Sequence, residues 1–277
     1  MKHRESYSER IQHVVEHLAE HLEDEFDLER LAQLAHLSPY HFHRIYRAIL
    51  GETVYETTRR LRLNRAALDL LDDKLSIERT AHRAGFGSQA AFTRAFRAEY
   101  GTPPARYRDG HAAHGDGDEE LAEYEVDIVD LPDLRVASIE HRGDYQLTGK
   151  AFERLMTIAA TTGLLTPETR SIGIYYDDPT VVPTPELRST ACVTVPADWI
   201  PSHNLLEGRI EGGRYARVVH VGPYSELATP YDWLYRRWLP RSGEDLRNLP
   251  CLEEYLNDPR QVQPKDLETA VMMPLEG

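Results

Sequence analysis

Arginines recur at a three-residue spacing in two separate segments of the chain. Arg44 and Arg47 form the first pair, and Arg94 and Arg97 form the second. Residues three apart in a helix lie on the same face. A guanidinium group is a planar fork of N–H donors that can bond the O6 and N7 acceptors of guanine together. The spacing therefore favours helix faces that read bases, although a single outward arginine is just as often a solvated surface residue.

Other polar side chains share these outward faces. Apolar residues at helical spacing predict the inward positions, which are Phe42, Ile45 and Ile49 in the first segment and Phe92, Ala95 and Phe96 in the second. The outward positions, besides the arginines, are then Tyr40, His41, His43, Gln89, Ala90 and Thr93. Gln89 can pair with adenine, and Ala90 can touch a thymine methyl group. Both faces therefore carry groups suited to base edges in a major groove.

The two segments belong to an internal repeat. The first copy is LERLAQLAHLSPYHFHRIYRAILG at Leu28–Gly51, and the second is IERTAHRAGFGSQAAFTRAFRAEYG at Ile77–Gly101, with one residue added to its turn. Each copy predicts a short helix, a tight turn and a second helix capped by Ser38 or Ser88. Val54–Leu71 predicts one long helix between the copies. Because two such units can present two helices to successive major grooves, the repeat predicts binding to double-stranded DNA.

The predicted helical part begins with a helix at Ser8–Leu22 and ends sharply at Gly101–Pro104. One face of the first helix carries histidines at a four-residue spacing, which are His13, His17 and His21. Two histidines at this spacing can bind zinc. A solvated polar face is the favoured interpretation, because no cysteine accompanies them. We therefore expect no metal site.

Charge is divided unevenly along the chain. The net charge is −14, yet residues 1–110 hold 17 Lys+Arg and 17 Asp+Glu, whereas residues 111–277 hold 15 and 29. Residues 30–108 alone hold 14 basic and 7 acidic side chains. Nucleic-acid affinity depends on the local patch rather than on the total charge. An acidic chain with a basic repeat is therefore compatible with a DNA partner.

Composition excludes several other classes of protein. Cys192 and Cys251 are too few for a disulfide scaffold or a four-thiolate site. No run of about 18 apolar residues predicts a membrane span, and the charged N-terminal segment lacks the apolar core of a signal peptide. We therefore expect a cytoplasmic protein with no membrane partner and no cofactor.

The sequence pattern changes near the middle of the chain. Asp109–Glu120 is rich in Gly, His and acidic residues and predicts a linker with no packed element. We therefore place the domains at residues 1–110 and 121–277, with the linker at 111–120. Tyr145–Thr162 predicts a helix. Alternating and β-branched runs predict strands at Tyr124–Val129, Arg135–His141, Ile172–Tyr176 and Thr190–Val195.

The C-terminal half also repeats itself. VASIEHRGDYQLTGKAFERL from Val136 aligns with YARVVHVGPYSELATPYDWL from Tyr215. Two such halves predict an α+β domain, in which an antiparallel sheet carries two helices on one face. The groove between the halves would be a natural ligand site. The complete predicted fold is therefore an all-α N-terminal domain with two helix-turn-helix units, followed by this α+β domain.

The N-terminal half, Ser6–Arg108, resembles the AraC/XylS family of transcriptional regulators. The most specific match is GFGSQAAFTRAFRAEYGTPPARYR at Gly85–Arg108. The resemblance assigns base reading to Tyr40, His43 and Arg44 in one major groove and to Gln89, Thr93 and Arg94 in the next. Some members engage DNA fully with only the first unit, and the small Ala90 and Ala91 leave that alternative open. Activation is the family tendency, so RNA polymerase is a further expected partner.

The C-terminal half, Tyr124–Leu275, resembles the GyrI-like small-molecule-binding domains of the SOUL/SHS2 type. The matching pieces are HRGDYQLTGKAFERL, IGIYYDDP, HVGPYSEL and PCLEEYLNDP. Leu252 departs from the family, which usually has an aromatic residue there. The resemblance implies an amphipathic, often cationic aromatic effector that is bound by aromatic walls and a buried glutamate. Glu253 matches that glutamate, and the candidate walls are Tyr145, Tyr175, Trp199, Tyr224, Trp233 and Tyr255.

The chemistry of this predicted site is reasonable. A carboxylate among apolar groups is poorly solvated, so a lipophilic cation relieves the cost of its burial, and aromatic faces add cation–π attraction. Glu253 and Glu254 are adjacent, and only one of them can point inward from a strand. Each aromatic residue is individually more often part of the core. Tyr231, Leu234, Tyr235 and Trp238 in particular have the helical spacing of a core face.

Two other functions remain open for the C-terminal half. Glu253 could act as a general base with Tyr255 or Tyr145, as in GyrI-like proteins that hydrolyse electrophilic molecules. The acidic domain could instead sequester ligands or contact another protein. No Gly-x-Ser-x-Gly nucleophile motif and no phosphate-binding loop is present. Since a DNA-binding unit precedes the domain, we favour an effector sensor over an enzyme.

Overall fold

The computed structural model describes residues 6–24, 27–72, 74–112 and 123–277. They fall into two compact units, one formed mainly by the N-terminal helices and the other by a C-terminal sheet with its helices. Within the described ranges, no helix combines the length and the apolar character needed to cross a membrane.

Seven helices form the N-terminal unit within the described residues. They are α1 (Tyr7–Glu20), α2 (Leu28–Leu34), α3 (Pro39–Leu50), α4 (Val54–Leu71), α5 (Ile77–Arg83), α6 (Gln89–Tyr100) and α7 (Pro104–Ala112). The predicted long helix matches α4. The predicted first helix was wrong by one residue at its start and by two at its end, because the Ser6 side chain caps α1 and His21 already leaves the helix.

Local sequence sets the ends of the two helices that were predicted to read DNA. The hydroxyls of Ser38 and Ser88 accept hydrogen bonds from backbone N–H groups in the first turns of α3 and α6. Gly51 and Gly101 end these helices with φ angles of 77° and 74°. This left-handed conformation carries no Cβ penalty in glycine. The two copies are therefore bounded by the same pair of signals.

The prediction that no packed element follows Asp109 was wrong for Asp109–Ala112, which belong to α7. Tyr107 is buried against Phe96, with ring centroids 5.2 Å apart, and this contact anchors the added helix. The Arg108 side chain also donates to the backbone of α4 and of the following turn. Residues 113–120 of the predicted linker lie outside the described residues.

Two hydrophobic clusters share α4. The first joins α1, α2 and α3 to Val54 at the start of α4. The second joins Leu63, Ala66, Ala67 and Leu70 of α4 to α5, α6 and α7. We call these groups of helices lobe 1 and lobe 2. Each lobe therefore carries one helix-turn-helix unit, and α4 connects them.

Eight antiparallel strands form the sheet of the C-terminal unit within residues 123–277. They are β1 (Asp127–Leu131), β2 (Leu134–Arg142), β3 (Ser171–Tyr175), β4 (Arg188–Thr194), β5 (Leu206–Ile210), β6 (Gly213–Val221), β7 (Cys251–Tyr255) and β8 (Glu268–Pro274). Their order is β1-β6-β8-β7-β3-β4-β2-β5. Exchanging the two sequence halves reverses this order onto itself, so the repeat appears as a pseudo-twofold arrangement. The predicted fold class is confirmed.

The predicted β1 was displaced along the chain. Tyr124–Val129 was expected, but the strand begins at Asp127. The Tyr124 side chain instead reaches His220, whose Nδ1 lies 2.8 Å from the phenol oxygen. The alternation of polar and apolar residues that predicts a strand is a local pattern. It carries no information about a side-chain contact with a residue 96 positions away.

The two predicted helices differ in regularity. In the first half α8 (Thr148–Thr162) is continuous after a short 3-10 turn. In the second half α9 (Ala228–Trp233) passes into a π-helical turn at Leu234–Trp238 and then into α10 (Leu239–Ser242). Pro240 has no N–H, and its ring would clash with the carbonyl of Arg236 in a regular helix. A wider π turn relieves that clash, since its hydrogen bonds span five residues.

Loss of the Phe96 ring should destabilise lobe 2. The ring is fully buried and stacks on Tyr100, with centroids 4.3 Å apart. Phe96→Ala should lower the free energy of unfolding by about 3–5 kcal/mol, since it removes apolar contact and leaves a cavity. Urea denaturation followed by helical circular dichroism measures this change. Arg97→Ala on the exposed face of the same helix should change stability by less than about 0.5 kcal/mol, and equal effects of the two variants would contradict the packing.

Candidate functional site

The polar faces of α3 and α6 point away from the cores of their lobes. The exposed members of the predicted base-reading set are His43, Arg44, Arg47, Gln89, Arg94 and Arg97. Thr93 is half-buried. Tyr40 lies in α3, but its side chain lies outside the described part of the structure. The structure thus leaves these helix faces accessible, and their contact with bases stays a prediction.

Buried aromatic residues orient both helices. Phe42 and Tyr46 are fully buried on α3, and the Tyr46 hydroxyl donates to Thr57 Oγ1 at 2.9 Å. Phe92 and Phe96 are the fully buried counterparts on α6. Sequence reasoning missed Tyr46, although it lies four residues after Phe42. Since the opposite face of each helix is held in its lobe, the arginine pairs are presented outward.

His17 of α1 and His21, the residue that follows its end, form a stacked pair. The rings of His17 and His21 have centroids 4.2 Å apart. Burial, followed by the neighbouring His21, lowers the pKa of His17. Among the described residues, no group of three or more His, Cys, Asp and Glu side chains is placed to hold a metal ion.

Glu253 is a buried carboxylate at the centre of the sheet. It lies on β7 directly opposite Gly173 of β3, and these two strands join the halves of the pseudo-twofold arrangement. Only 5 % of the residue is exposed. The Tyr231 hydroxyl donates to Oε1 at 3.1 Å, and the Tyr255 hydroxyl donates to Oε2 at 2.9 Å. Among the described residues, the side-chain donors recorded for Glu253 are phenols.

Burial controls the ionisation of this cluster. Desolvation raises the pKa of Glu253 to about 7, against hydrogen bonds from Tyr255, Tyr231 and Tyr175 that lower it. Burial first, and the charge of Glu253 second, raise the pKa values of these three phenols well above their ordinary range. The phenols therefore remain protonated at neutral pH and act as hydrogen-bond donors. Glu253 is the group that titrates near neutrality.

Gly173 leaves room for the phenols beside Glu253. A Cβ atom at this position would lie 2.7 Å from Tyr175 Cε2 and 3.1 Å from the Tyr255 hydroxyl. The Tyr175 and Tyr255 hydroxyls are 2.8 Å apart. Either hydroxyl can be the donor between these two phenols. A glycine opposite the carboxylate thus allows a chain of two phenols to end on Glu253.

Aromatic rings from both halves surround this chain in matching pairs. Tyr145 packs edge-on against Tyr175 with centroids 5.0 Å apart, and Tyr224 packs edge-on against Tyr255 at 5.2 Å. Tyr145 and Tyr224 are equivalent in the internal repeat. Phe152 of α8 adds a third edge contact to Tyr255 at 4.9 Å. The structure therefore brings four of the six predicted wall residues, Tyr145, Tyr175, Tyr224 and Tyr255, around Glu253.

The two predicted tryptophan walls have other neighbours. Trp199 lies beneath the Arg135 guanidinium, whose Cζ is 5.7 Å from the ring centroid. Trp233 packs against Tyr124 with centroids 6.0 Å apart. These contacts leave the ligand roles of both tryptophans as predictions.

Sequence reasoning missed Tyr231 and Phe152 as members of the cluster. The alignment of the two halves pairs Phe152 with Tyr231, and that pairing was the available signal. The helical spacing of Tyr231 suggested a core role instead.

The neighbouring carboxylate has a different environment. Glu254 points to the other face of β7, where Arg170 donates to both of its oxygens at 2.6 and 2.8 Å. This two-point ion pair compensates the charge that Glu254 carries. The contrast identifies Glu253 as the unusual carboxylate of the pair.

Two family profiles match the chain. The profile for the GyrI-like small molecule binding domain matches residues 124–276, which is more than half of the chain. A profile described as a helix-turn-helix domain matches residues 31–110. The two matches correspond to the sheet-containing unit and to most of the helical unit.

Relatives and solved structures agree with these profiles. YgiV, a probable transcriptional regulator of Escherichia coli (strain K12), is 32% identical over 154 residues, which are 54% of this chain and 96% of that protein. A DNA gyrase inhibitor of Citrobacter rodentium (strain ICC168) is 32% identical over 139 residues, which are 49% of this chain and 86% of that protein. The cryo-EM structure of the EcmrR–DNA complex in EcmrR-RPo has a TM-score of 0.50 at 20% identity, covering 86% of this chain and 82% of that chain. This last similarity is one of fold.

The chain therefore belongs to the family of proteins with a GyrI-like small-molecule-binding domain, and its AraC/XylS-type helix-turn-helix domain makes it a DNA-binding transcriptional regulator.

Proposed function

We propose that the GyrI-like domain senses an amphipathic, cationic aromatic effector, and that Glu253 neutralises the charge of this molecule. The observation that carries the proposal is a buried carboxylate to which, among the residues that the structure describes, phenols are the side-chain donors. Phenol hydrogen bonds reduce the cost of burial but leave the negative charge uncompensated. A cation that enters the cluster supplies the missing charge.

The aromatic rings select the rest of the effector. Tyr145 packs edge to face with Tyr175, and Tyr224 packs edge to face with Tyr255, so the cluster beside Glu253 is built from aromatic edges and faces. A planar aromatic cation gains apolar contact and cation–π attraction from such faces. The same surroundings disfavour a small hydrated cation, which would lose its water without gaining enough contacts.

Effector binding regulates the DNA-binding domain only if it favours one state of the protein over another. A ligand shifts an equilibrium by its difference in affinity for the two states. We propose that effector-bound and effector-free chains differ in how α3 and α6 engage an operator, or in how the bound protein meets RNA polymerase. A DNA target places this function in the cytoplasm.

Hydrolysis is the second candidate function of the same cluster. A carboxyl group with a pKa of about 7 is suited to general-base catalysis near neutral pH, and Tyr255 lies within hydrogen-bond distance of it. Release of product from an electrophilic ligand by the wild-type protein, and its loss in Glu253→Gln, would favour this function. Stable binding without turnover favours the sensor.

Effector binding should raise the melting temperature of the domain. At a ligand concentration of about 100 Kd, the folded state gains about 2.7 kcal/mol. Tryptophan fluorescence reports unfolding of the C-terminal part of the intact chain, because the tryptophans are Trp199, Trp233 and Trp238. Aromatic cations such as tetraphenylphosphonium should stabilise the wild type, whereas neutral analogues such as triphenylphosphine oxide should not.

The adjacent carboxylate provides a matched control for this experiment. Glu253→Gln should abolish the cation-dependent shift, because the amide carries no charge. Glu254→Gln removes a carboxylate from the same strand but on the other face, and it should retain the shift. Equal stabilisation of both variants by the cation would exclude Glu253 as the charge partner.

Stability should fall as pH rises through the range in which Glu253 loses its proton. The ordinary pKa of the group is 4.5, and burial raises it to about 7. Between these values the folded state holds a proton that the unfolded chain has released, so stability is lost with rising pH. The loss is on the order of 3 kcal/mol. Urea denaturation of the wild type and of Glu253→Gln at several pH values measures this loss, as the difference between their free energies of unfolding.

The affinity for the cation should have the opposite pH dependence. Because the cation binds the ionised carboxylate, its Kd should rise about tenfold for each pH unit below about 7 and level off above it. Glu254→Gln should keep both pH dependences. If the difference in unfolding free energy between wild type and Glu253→Gln does not change with pH, the Glu253 carboxyl does not titrate in this pH range.

Arg44→Ala should weaken specific DNA binding by roughly 1–3 kcal/mol and relax the base preference at one position. The reason is the loss of a guanidinium that is placed on the exposed face of α3. Competition binding against a set of single-base operator variants measures both effects. Arg209→Ala, which removes an exposed arginine paired with Asp133 in the C-terminal unit, should leave affinity and preference unchanged. An unaltered isotherm for Arg44→Ala would refute the role of α3.

A further inference from the structure

The two proposed reading helices belong to different lobes. α3 packs in lobe 1, and α6 packs in lobe 2, with α4 as the helix that both clusters share. Lobe 1 uses the start of α4 at Val54, whereas lobe 2 uses the part from Leu63 onward. The continuous helix α4 therefore ties the two lobes together, and contacts beside it add to how firmly one reading helix is held relative to the other.

Arg62 of α4 connects the lobes through its guanidinium. Its Nε donates to the Leu22 carbonyl at 2.9 Å, and its Nη2 donates to the Asp24 carbonyl at 2.5 Å. Both acceptors lie in the connection that follows α1 in lobe 1. The same guanidinium lies against Gly85 in the turn between α5 and α6 of lobe 2. A Cβ atom at Gly85 would lie 2.5 Å from Arg62 Cζ, so this turn is shaped to admit the arginine.

Arg65 forms a second connection one helical turn away. It donates through Nη2 to the Arg83 carbonyl at the end of α5. Its Nη1 lies 3.5 Å from Glu23 Oε1 in lobe 1, and Glu23 is also 3.7 Å from Arg83 Nη1. Asp69 of α4 holds the Arg83 guanidinium at 2.8 Å. Arg65 and Glu23 therefore join the same two segments that Arg62 joins.

We propose that Arg62 and Arg65 act as positioning residues, which fix the orientation of α3 relative to α6 and so select DNA by the spacing of two half-sites. This inference rests on the proposed contact of both reading helices with DNA. The guanidinium forks suit the task, because each can hold two acceptors in a defined plane. Both side chains are half-buried, so solvent weakens their contacts less than it weakens those of exposed pairs.

DNA geometry makes this orientation a determinant of specificity. Each added base pair rotates one half-site by about 35° around the helix axis, since one turn holds 10–10.5 base pairs. With rigid lobes, an altered spacing requires the DNA to twist or one contact to be lost. With the connections removed, small movements of the lobes on α4, or bending of α4 itself, can follow the altered spacing. The arginines would then affect spacing without affecting which bases each helix reads.

In vitro selection from a random DNA pool with the full-length protein tests the proposal. The variants are Arg62→Ala, Arg65→Ala and the double variant. Arg59→Ala is the matched control, because Arg59 is a half-buried arginine of α4 whose ion pair, with Glu99 of α6 at 2.8 Å, does not involve the connection after α1. The wild type and the control should select a two-part motif with one dominant spacing. The Arg62 and Arg65 variants should select the same half-motifs with a broadened spacing distribution.

Direct binding to spacer variants of the selected site gives the magnitude. The wild type should lose about tenfold or more in affinity when the spacer changes by two base pairs, whereas the double variant should lose less than about threefold. Arg62→Lys keeps the charge without the fork, and it should also relax the spacing preference. It serves as the test variant if Arg62→Ala lacks the wild-type helical melting transition. An unchanged spacing distribution, or equal broadening by Arg59→Ala, would overturn the inference.

The outcome separates this inference from the function on which it rests. A wild-type protein that selects only one half-motif would show that α3 and α6 do not both read DNA, which removes the premise. A two-part wild-type motif whose spacing survives in every arginine variant would leave the two-helix contact standing and reject the positioning role alone.

Discussion

The desolvated carboxylate of Glu253 is the constraint around which the C-terminal domain is organised. It lies where β3 and β7 join the two halves of the sheet, opposite a glycine that leaves space for two phenols. The helices above the sheet supply the remaining contacts, through Tyr231 and Phe152. A buried charge is tolerated only when hydrogen bonds or an opposite charge compensate it. Phenols provide the first compensation, and in the function we propose an effector cation provides the second.

Both domains contain an internal duplication, and in both the symmetry is lost at candidate functional positions. In the sheet, Gly173 faces Glu253 although the surrounding tyrosines match in pairs. Strict symmetry would place a second carboxylate at position 173, directly opposite Glu253. Two like charges repel each other in a low-dielectric interior, and the glycine avoids this repulsion. In the helical domain the arginine pairs recur in both copies, while His43 of the first copy corresponds to Thr93 of the second. The two copies in each domain thus have equivalent backbones but carry different side chains at these positions.

Local sequence signals predicted much of the fold. The bounds of α3, α4 and α6 follow from caps, glycine ends and apolar spacing, which act within a few residues. The displacement of β1, the added helix α7 and the π turn before Pro240 depend on contacts or competing constraints that this periodicity does not encode.

The candidate effector site was predicted less completely. Glu253 was found from its motif, but Tyr231 was assigned to the core because an aromatic residue at helical spacing is ambiguous. It is in fact both a packed residue and a donor to the carboxylate. The lobe connections were missed for a related reason. Arg62 meets Leu22 and Asp24 across about forty residues, and no short motif marks that pairing.

In the function we propose, a proton and an effector cation compete for Glu253, and this competition determines which effectors the domain can distinguish. An effector-free domain can relieve the desolvation of Glu253 by binding a proton, and the pKa of about 7 means that this happens at nearly neutral pH. A useful effector must therefore supply more than charge, because a proton already supplies that. Apolar contact with the tyrosine faces provides the additional free energy. Since phenols already donate to both oxygens of Glu253, an effector with delocalised charge and no N–H donors needs no rearrangement of these hydrogen bonds. The arrangement thus favours broad aromatic cations over compact ammonium groups.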